Sequence, residues 1–186
     1  MLFHRAMIRR VCLSVWMLGL CAAAGSAATL RQLSMDQMTQ SATAIVRARV
    51  TGSSASLNGS TIYTHYRLQV TDTLKGVAPA EVALPGGVAR GLRQSFPGVP
   101  MLQTGAEYVL FLWTSQSTGI THIIGLSQGL FNVTTQSDGT AQVARARIGE
   151  TMLDAAGHVV QDQAIQMKLS DLKLSVSQQA PPAPQQ

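Results

Sequence analysis

The fold is decided by two alternating stretches, AIVRARV at residues 44–50 and IYTHYRLQV at residues 62–70. In both, one set of alternate residues is mainly apolar, while the residues between include arginine, histidine and glutamine. A period of two places successive side chains on opposite faces of a β-strand. The stretches therefore predict two antiparallel strands, joined by a turn over residues 52–60, which are rich in serine, glycine and asparagine.

Further strand patterns follow along the chain. A short apolar run is stopped by Pro85-Gly86-Gly87, and a continuous apolar run over residues 108–113 predicts a strand buried on both faces. Residues 121–133 predict a strand that a bulge or bend at residues 127–129 interrupts. The sequence of residues 136–139 predicts a hairpin turn. Its returning strand is expected at residues 141–148.

The two ends of the domain differ from this pattern. Residues 30–41 have helical spacing, with Ser34 as the cap and Gln37 three residues on. One or two helical turns are expected at residues 170–176, with Ser170 as cap. The Pro/Gln-rich residues 177–186 are expected to be disordered. The chain is thus predicted to be all-β: a five-stranded OB-like antiparallel barrel over residues 29–176 with a short N-terminal helix. A β-sandwich is the alternative.

Residues 1–28 have the order of a secretory signal peptide. Arg5, Arg9 and Arg10 precede an apolar run, and small residues lead to Ser26-Ala27-Ala28. Cleavage there makes Thr29 the first mature residue. We therefore expect a secreted or periplasmic protein with no stable membrane insertion after cleavage. An uncleaved anchor is the alternative, although the apolar run is short for one.

Cleavage also removes both cysteines, Cys12 and Cys21. The mature chain would then have neither disulfides nor cysteine metal sites. Lipidation of Cys21 is the alternative interpretation, because Leu18-Gly19-Leu20-Cys21 resembles a lipobox. It departs from one at Leu20, where a small residue is expected. Without the three arginines of the signal, the net charge falls from +5 to (14 − 3) − 9 = +2. This balance does not favour a nucleic-acid partner.

Catalytic and cofactor motifs are sparse. His65, His122 and His158 each stand alone in the sequence, so no metal or cofactor is expected. The string Gly125-Leu126-Ser127-Gln128-Gly129 matches the Gly-x-Ser-x-Gly nucleophile elbow. An elbow joins a strand to a helix, whereas the following residues read as strand. We therefore predict a non-enzyme and keep a serine hydrolase using Ser127 as an alternative.

The long stretch at residues 88–104 follows no period, and a loop of this length in a compact domain is often functional. Arginine and aromatic side chains are the types that anchor interfaces. We therefore expect Arg90, Arg93 and Phe96 to contact a partner. A mobile loop that packs Phe96 onto the barrel is the alternative.

The order of these motifs resembles the netrin-like and tissue-inhibitor-of-metalloproteinases modules over about residues 30–133. The resemblance rests on the alanine/valine first strand, the second strand ending in Leu74-Lys75-Gly76, and the Gly105-Ala106-Glu107-Tyr108-Val109 start of a later one. The chain also resembles uncharacterised secreted bacterial proteins with this pattern. The resemblance implies an OB-fold and protease inhibition or protein binding, with a co-secreted metalloprotease as the candidate partner.

Those inhibitors chelate the protease zinc through an N-terminal cysteine. Here Thr29 and Leu30 stand at that end, without the disulfides of the family, so the α-amine is expected to be untethered. The sequence-based hypothesis is a secreted, non-enzymatic protein-binding module that uses Thr29, Leu30 and the long loop. A structural domain associated with the envelope or matrix is a further alternative.

The signal assignment predicts the mass of the secreted protein. Cleavage after Ala28 should give an intact mass that starts at Thr29, measured by mass spectrometry of material exported by the native host. A full-length mass, or a lipid adduct on Cys21, would contradict it.

Overall fold

The computed structural model describes residues 28–179. Residues 1–27, with both cysteines and nearly all of the expected signal peptide, and residues 180–186 lie outside the described part. The described chain is mainly β, with mostly antiparallel strand pairing and two helices. Its elements are β1 Thr29–Arg31, α1 Met35–Ser41, β2 Ala44–Asn58, β3 Thr61–Gly76, β4 Glu81–Pro85, β5 Gly87–Ala89, β6 Leu92–Gln94, β7 Glu107–Thr114, β8 Thr121–Ile123, β9 Leu130–Thr135, β10 Ala141–Arg145, β11 Thr151–Leu153, β12 Val159–Val160, β13 Ile165–Lys168 and α2 Leu169–Gln179.

The main sheet has eight strands in the order β13-β10-β9-β7-β2-β3-β4, with β8 also paired to β7. Its two end strands do not pair with each other, so the sheet is open and has more strands than the five expected. A closed five-stranded barrel is therefore not confirmed. A side-chain contact does join β8 to β4, because His122 Nδ1 lies 3.0 Å from the carbonyl oxygen of Ala83.

The β2–β3 hairpin is much longer than its sequence indicated. The two strands pair from Ala44 with Gly76 to Asn58 with Thr61, so only residues 59 and 60 connect them. The turn expected over residues 52–60 is wrong. The register shifts between Val50 and Gly52, which marks a bulge from which pairing continues through residues of low strand propensity. Cross-strand pairing has overridden local preference here.

Two separate hydrophobic cores lie on opposite faces of β2 and β7. Alternate residues of β2 enter the first core with β4 and β8, whereas Ile45 enters the second, which α1 and α2 cover. The expected core residues Val46, Ala48, Val50 and Ile123 are buried in the first cluster, and Val109 and Phe111 are buried in the second. Leu68 and Val70 are only partly buried against the first cluster.

The interruption expected at residues 127–129 is confirmed, because β8 and β9 lie along the same edge of β7 with a turn between them. The Phe111 backbone bridges the turn: its carbonyl accepts from Ile124 N at 2.9 Å and its N–H donates to Gly129 O at 2.9 Å. A Cβ at Gly129 would lie 2.8 Å from Ile124 O. This position therefore requires glycine for close backbone approach.

A buried polar cluster of Gln128, Arg145 and Asp162 holds the N-terminal segment and the loop before β13. Gln128 accepts from Leu33 N at 2.8 Å and donates to Arg31 O at 2.9 Å. The Arg145 guanidinium contacts the Asp162 carboxylate at 2.6 Å. β1 also pairs in parallel with β11. The expectation of an untethered N-terminal segment is therefore wrong, since the segment is fixed by a sheet and by a buried glutamine.

The helices agree with the sequence at one end and differ at the other. Ser34 caps α1 in a capping box with Gln37, as predicted, although the helix starts at Met35 rather than at residue 30. α2 runs for eleven residues and starts one residue before the expected cap, Ser170. Residues 177–179, expected in the disordered tail, belong to this helix. The returning strand β10 ends at Arg145, before the expected residue 148.

The second core predicts a large mutational cost at Phe111, whose side chain has no exposed surface and packs with Phe131 at a ring-centroid distance of 5.7 Å. We expect Phe111→Ala to lower the free energy of unfolding by about 3–5 kcal/mol, measured by urea denaturation. Leu174→Ala, at a position 61% exposed on α2, is the control and should change it by less than about 0.5 kcal/mol. Similar costs for the two variants would show that the assigned core face is wrong.

Candidate functional site

A cleft of 460 Å³ lies between the inner face of the β3–β4 end of the sheet and the segment that follows β4. Thr64, Tyr66 and Leu84 form part of its floor. Burial raises the pKa of the Tyr66 phenol, and a backbone hydrogen bond from Leu102 partly offsets this effect. Tyr66 therefore stays neutral at ordinary pH, and it is only 5% exposed in the floor of the cleft.

One wall of the cleft is the β5–β6 hairpin, which occupies part of the stretch that the sequence presented as a structureless loop. That expectation over residues 88–104 is wrong for residues 88–94. The hairpin is short, with Val88 opposite Arg93 and Ala89 opposite Leu92. Cross-strand partners share a face, so Val88 and Arg93 line the cleft while Leu92 lies on the opposite face.

The base of the hairpin is fixed to β3. The Gln94 amide accepts from Ile62 N at 2.7 Å and donates to Ser60 O at 2.7 Å. Gly87 has a φ of 132°, and a Cβ there would lie 2.4 Å from Thr64 Oγ1. Only glycine fits this contact. The wall of the cleft is therefore preorganised by backbone geometry and by one amide side chain.

The tip of the hairpin consists of Arg90 and Gly91, with φ values of 52° and 75°. Positive φ at both central residues is the type I′ pattern, which usually takes Asn-Gly. An arginine in this region costs about 1 kcal/mol relative to an unstrained conformation. Backbone strain of this kind is retained where a side chain has a role, which directs attention to Arg90.

The opposite wall is the segment from Ser95 to Leu102. Val99 and Leu102 pack against the first core, so they hold the segment in place. Phe96 remains 41% exposed, with its ring beside Gly86. The ring of Phe96 is thus more than half covered, while Val99 and Leu102 supply the contacts of this segment with the first core.

The cleft combines apolar surface with one positive charge. Arg93 is the single charged residue among its lining residues within the described chain. No aspartate or glutamate is among these described lining residues, and the Glu150 side chain lies beside Gly98 of the wall segment, outside the lining. The mouth of the cleft therefore favours an apolar ligand that carries negative charge.

The predicted site residues fall in two places. Arg93 and Phe96 line the cleft and Arg90 lies at the hairpin tip, so the structure brings these three to one region. Thr29 and Leu30 belong to β1, pair with Thr151 and Met152 and do not line the cleft. The sequence missed Val88 and Met101, which line the cleft and are 53% and 85% exposed. The sequence feature that could have identified them is a large apolar side chain directly after a glycine or a proline.

Ser127 does not sit in a triad within the described residues. It lies in the turn between β8 and β9, and its carbonyl accepts from Leu130 N at 3.3 Å. The chain continues into β9 rather than into a helix, as the sequence indicated. His65, His122 and His158 each bond to other partners. No group of three or more His, Cys, Asp or Glu side chains in residues 28–179 is arranged to hold a metal ion.

The chain matches no protein-family model, and no curated protein matches it in sequence. No helix within residues 28–179 is long and apolar enough to cross a membrane.

The anchoring by Gln94 predicts how the hairpin loosens. Gln94→Ala removes both side-chain hydrogen bonds to the β3 end, so hydrogen exchange of the amides in residues 87–94 should accelerate at least about tenfold while exchange in β7 stays unchanged. Gln103→Ala, at an exposed glutamine outside the cleft, is the matched control. Unchanged exchange in the hairpin of the Gln94 variant would show that other contacts hold it.

Proposed function

We propose that the protein is a secreted protein-binding module whose non-catalytic binding surface is the cleft between the β5–β6 hairpin and residues 95–102. The proposed location rests on the signal-like order of residues 1–28. We also propose that the domain is a distorted OB-like barrel of the netrin-like type. Strands β4, β3, β2, β7 and β8 surround the first core in that order, and His122 joins the two ends.

The observation that carries this proposal is the exposure of large apolar side chains around one concave site. Val88, Phe96 and Met101 are 53%, 41% and 85% exposed, and all line the cleft. Apolar groups rimmed by polar ones mark interaction sites more often than scattered exposed residues do. An aromatic residue and an arginine at the same site are the side chains that most often carry binding energy.

The charge of the site indicates the occupant. A peptide segment of a partner protein that places an apolar side chain in the cleft and an acidic one near Arg93 would satisfy both features of the surface. Arg90 at the strained tip would add a second positive charge to a longer segment. Because the walls are fixed before binding, little ordering free energy would be lost on association.

A metalloprotease is the candidate partner that the netrin-like resemblance implies. In that case the α-amine of Thr29 would approach the zinc. Pairing of β1 with β11 supports this by giving the mature N-terminus a defined position, although that position is not part of the cleft. Acetylation of the α-amine distinguishes the two modes. It should abolish zinc-directed inhibition of a panel of secreted metalloproteases and leave binding at the cleft unchanged.

The cleft proposal predicts the outcome of peptide binding to the mature domain. An array of ten-residue peptides with aromatic and acidic residues should bind more tightly than the same peptides with lysine replacing each acid. Phe96→Ala and Arg93→Ala should each weaken binding about tenfold, because one anchor is worth about 1.4 kcal/mol. Arg93→Glu should reverse the charge preference. Fluorescence anisotropy measures all three effects.

Matched controls keep this test specific. Leu174→Ala and Arg31→Ala remove an exposed leucine and an exposed arginine that do not line the cleft, and should leave peptide affinity unchanged. Phe96→Ala should shift the melting temperature by less than about 2 °C, since Phe96 is not a core residue. A large loss of melting temperature with unchanged affinity would assign Phe96 a structural role and refute the proposal.

A further inference from the structure

A second constellation lies on the outer face of the same sheet, where three adjacent strands contribute one side chain each. Ser56 belongs to β2, His65 to β3 and Glu81 to β4. Strand alternation explains the separation from the cleft: Thr64 and Tyr66 point inward to line it, so His65 between them points outward. The two sites are therefore on opposite faces of one strand.

The hydrogen bonds form a chain in the order serine, histidine, carboxylate. His65 Nδ1 lies 3.0 Å from Glu81 Oε1, and His65 Nε2 lies 3.2 Å from Ser56 Oγ. A glutamate carboxylate can only accept, so Nδ1 must carry the proton. In the neutral ring Nε2 is then an acceptor, and the Ser56 hydroxyl must donate to it. This is the tautomer and direction that a serine nucleophile requires.

The neighbouring residues do not interrupt this series of hydrogen bonds, and they leave it accessible to solvent. Arg67 is the cross-strand partner of Glu81, but its guanidinium lies over Gly52. A Cβ added at Gly52 would lie 2.8 Å from Arg67 Nη2. Within the described residues, His65 is the ion-pair partner of Glu81. Ser56 is exposed, whereas the His65 side chain is 26% exposed. The nucleophile is therefore open to solvent while its base is partly covered.

An aromatic surface adjoins the serine. Tyr63 is the direct cross-strand partner of Ser56, and its ring lies 6.3 Å from the ring of His122. Trp113, the partner of His122, is 47% exposed. Flat or apolar groups bind to such rings through stacking and burial of apolar area. A substrate acylating Ser56 would thus place an aromatic or apolar portion on Tyr63.

We propose that Ser56, His65 and Glu81 form a nucleophilic relay that accepts acyl groups from esters with an aromatic or apolar portion. Ser56 Oγ attacks the ester carbonyl carbon while its proton passes to His65 Nε2, and Glu81 stabilises the resulting imidazolium. The C–O bond to the leaving alcohol then breaks, and that alcohol takes the proton from His65. Water, deprotonated by His65, attacks the acyl-serine, releases the carboxylic acid and restores the Ser56 hydroxyl.

The relay differs from the nucleophile-elbow alternative of the sequence analysis, which placed the nucleophile at Ser127. It also goes beyond the proposed binding function, because no relay residue lines the cleft. Failure of one proposal therefore leaves the other standing.

Covalent labelling of the mature domain tests the relay. A fluorophosphonate probe and p-nitrophenyl acetate should each modify Ser56, located by peptide mass spectrometry. His65→Gln should slow labelling on the order of 100-fold, the usual contribution of a general base. Glu81→Gln should also slow it, by a smaller factor. Ser56→Ala should abolish the adduct.

Ser54→Ala is the matched control, because Ser54 is the direct cross-strand partner of His65 but is not hydrogen bonded to it. It should label at the wild-type rate. An adduct on several serines alike, labelling unaffected by His65→Gln, or ester cleavage that persists in Ser56→Ala would each overturn the relay. Thermal melting checks that the variants fold, and loss of stability without loss of labelling would indicate a purely structural ladder.

Discussion

The rest of the structure depends on the pairing of β2 along both of its edges. Over Ala44–Arg49 the strand bonds to β3 on one side and to β7 on the other. One of its faces is buried throughout, whereas on the other face Ile45 is buried, Arg47 is partly buried and Arg49 is exposed. One face contributes to the core enclosed by β4 and β8, and the other contributes Ile45 to the core covered by the two helices. A slip of one residue would exchange the two faces and place Arg47 inside, so the apolar pattern fixes the register.

That register also positions the cleft. The pairing of β3 with β2 ends at Thr61. At the neighbouring Ile62, the N–H donates to the Gln94 side chain and the carbonyl accepts from Gly86 N. The hairpin is therefore hydrogen bonded at its base to the end of the sheet. Walls held in this way, with Val88, Phe96 and Met101 exposed, suit recognition without a large ordering cost. The positive φ of Arg90 places a strained backbone position at the tip of this wall.

Strand β3 contributes to two surfaces because successive side chains of a β-strand point to opposite faces of the sheet. Along β3, Thr64 and Tyr66 face the apolar cleft, while Tyr63 and His65 face outward beside Ser56 and Glu81. Binding at the cleft and acylation at Ser56 would therefore act independently. The buried Gln128–Arg145–Asp162 cluster contributes to neither surface. Its role is to fasten the N-terminal segment and the loop before β13 to the sheet.

Local pattern was enough for the strands whose apolar residues alternate, for the Ser34–Gln37 capping box and for the turn at residues 136–139, because each depends on neighbours within a few residues. It also identified Arg93 and Phe96 as surface residues of one segment. Tertiary structure decided the rest. The serine-rich end of β2 is a strand only because β3 pairs with it, and the β5–β6 hairpin exists because Gln94 bonds to a strand thirty-two residues earlier. The serine, histidine and glutamate of the outer face come from three strands, and no sequence spacing reveals a contact that only the sheet register creates.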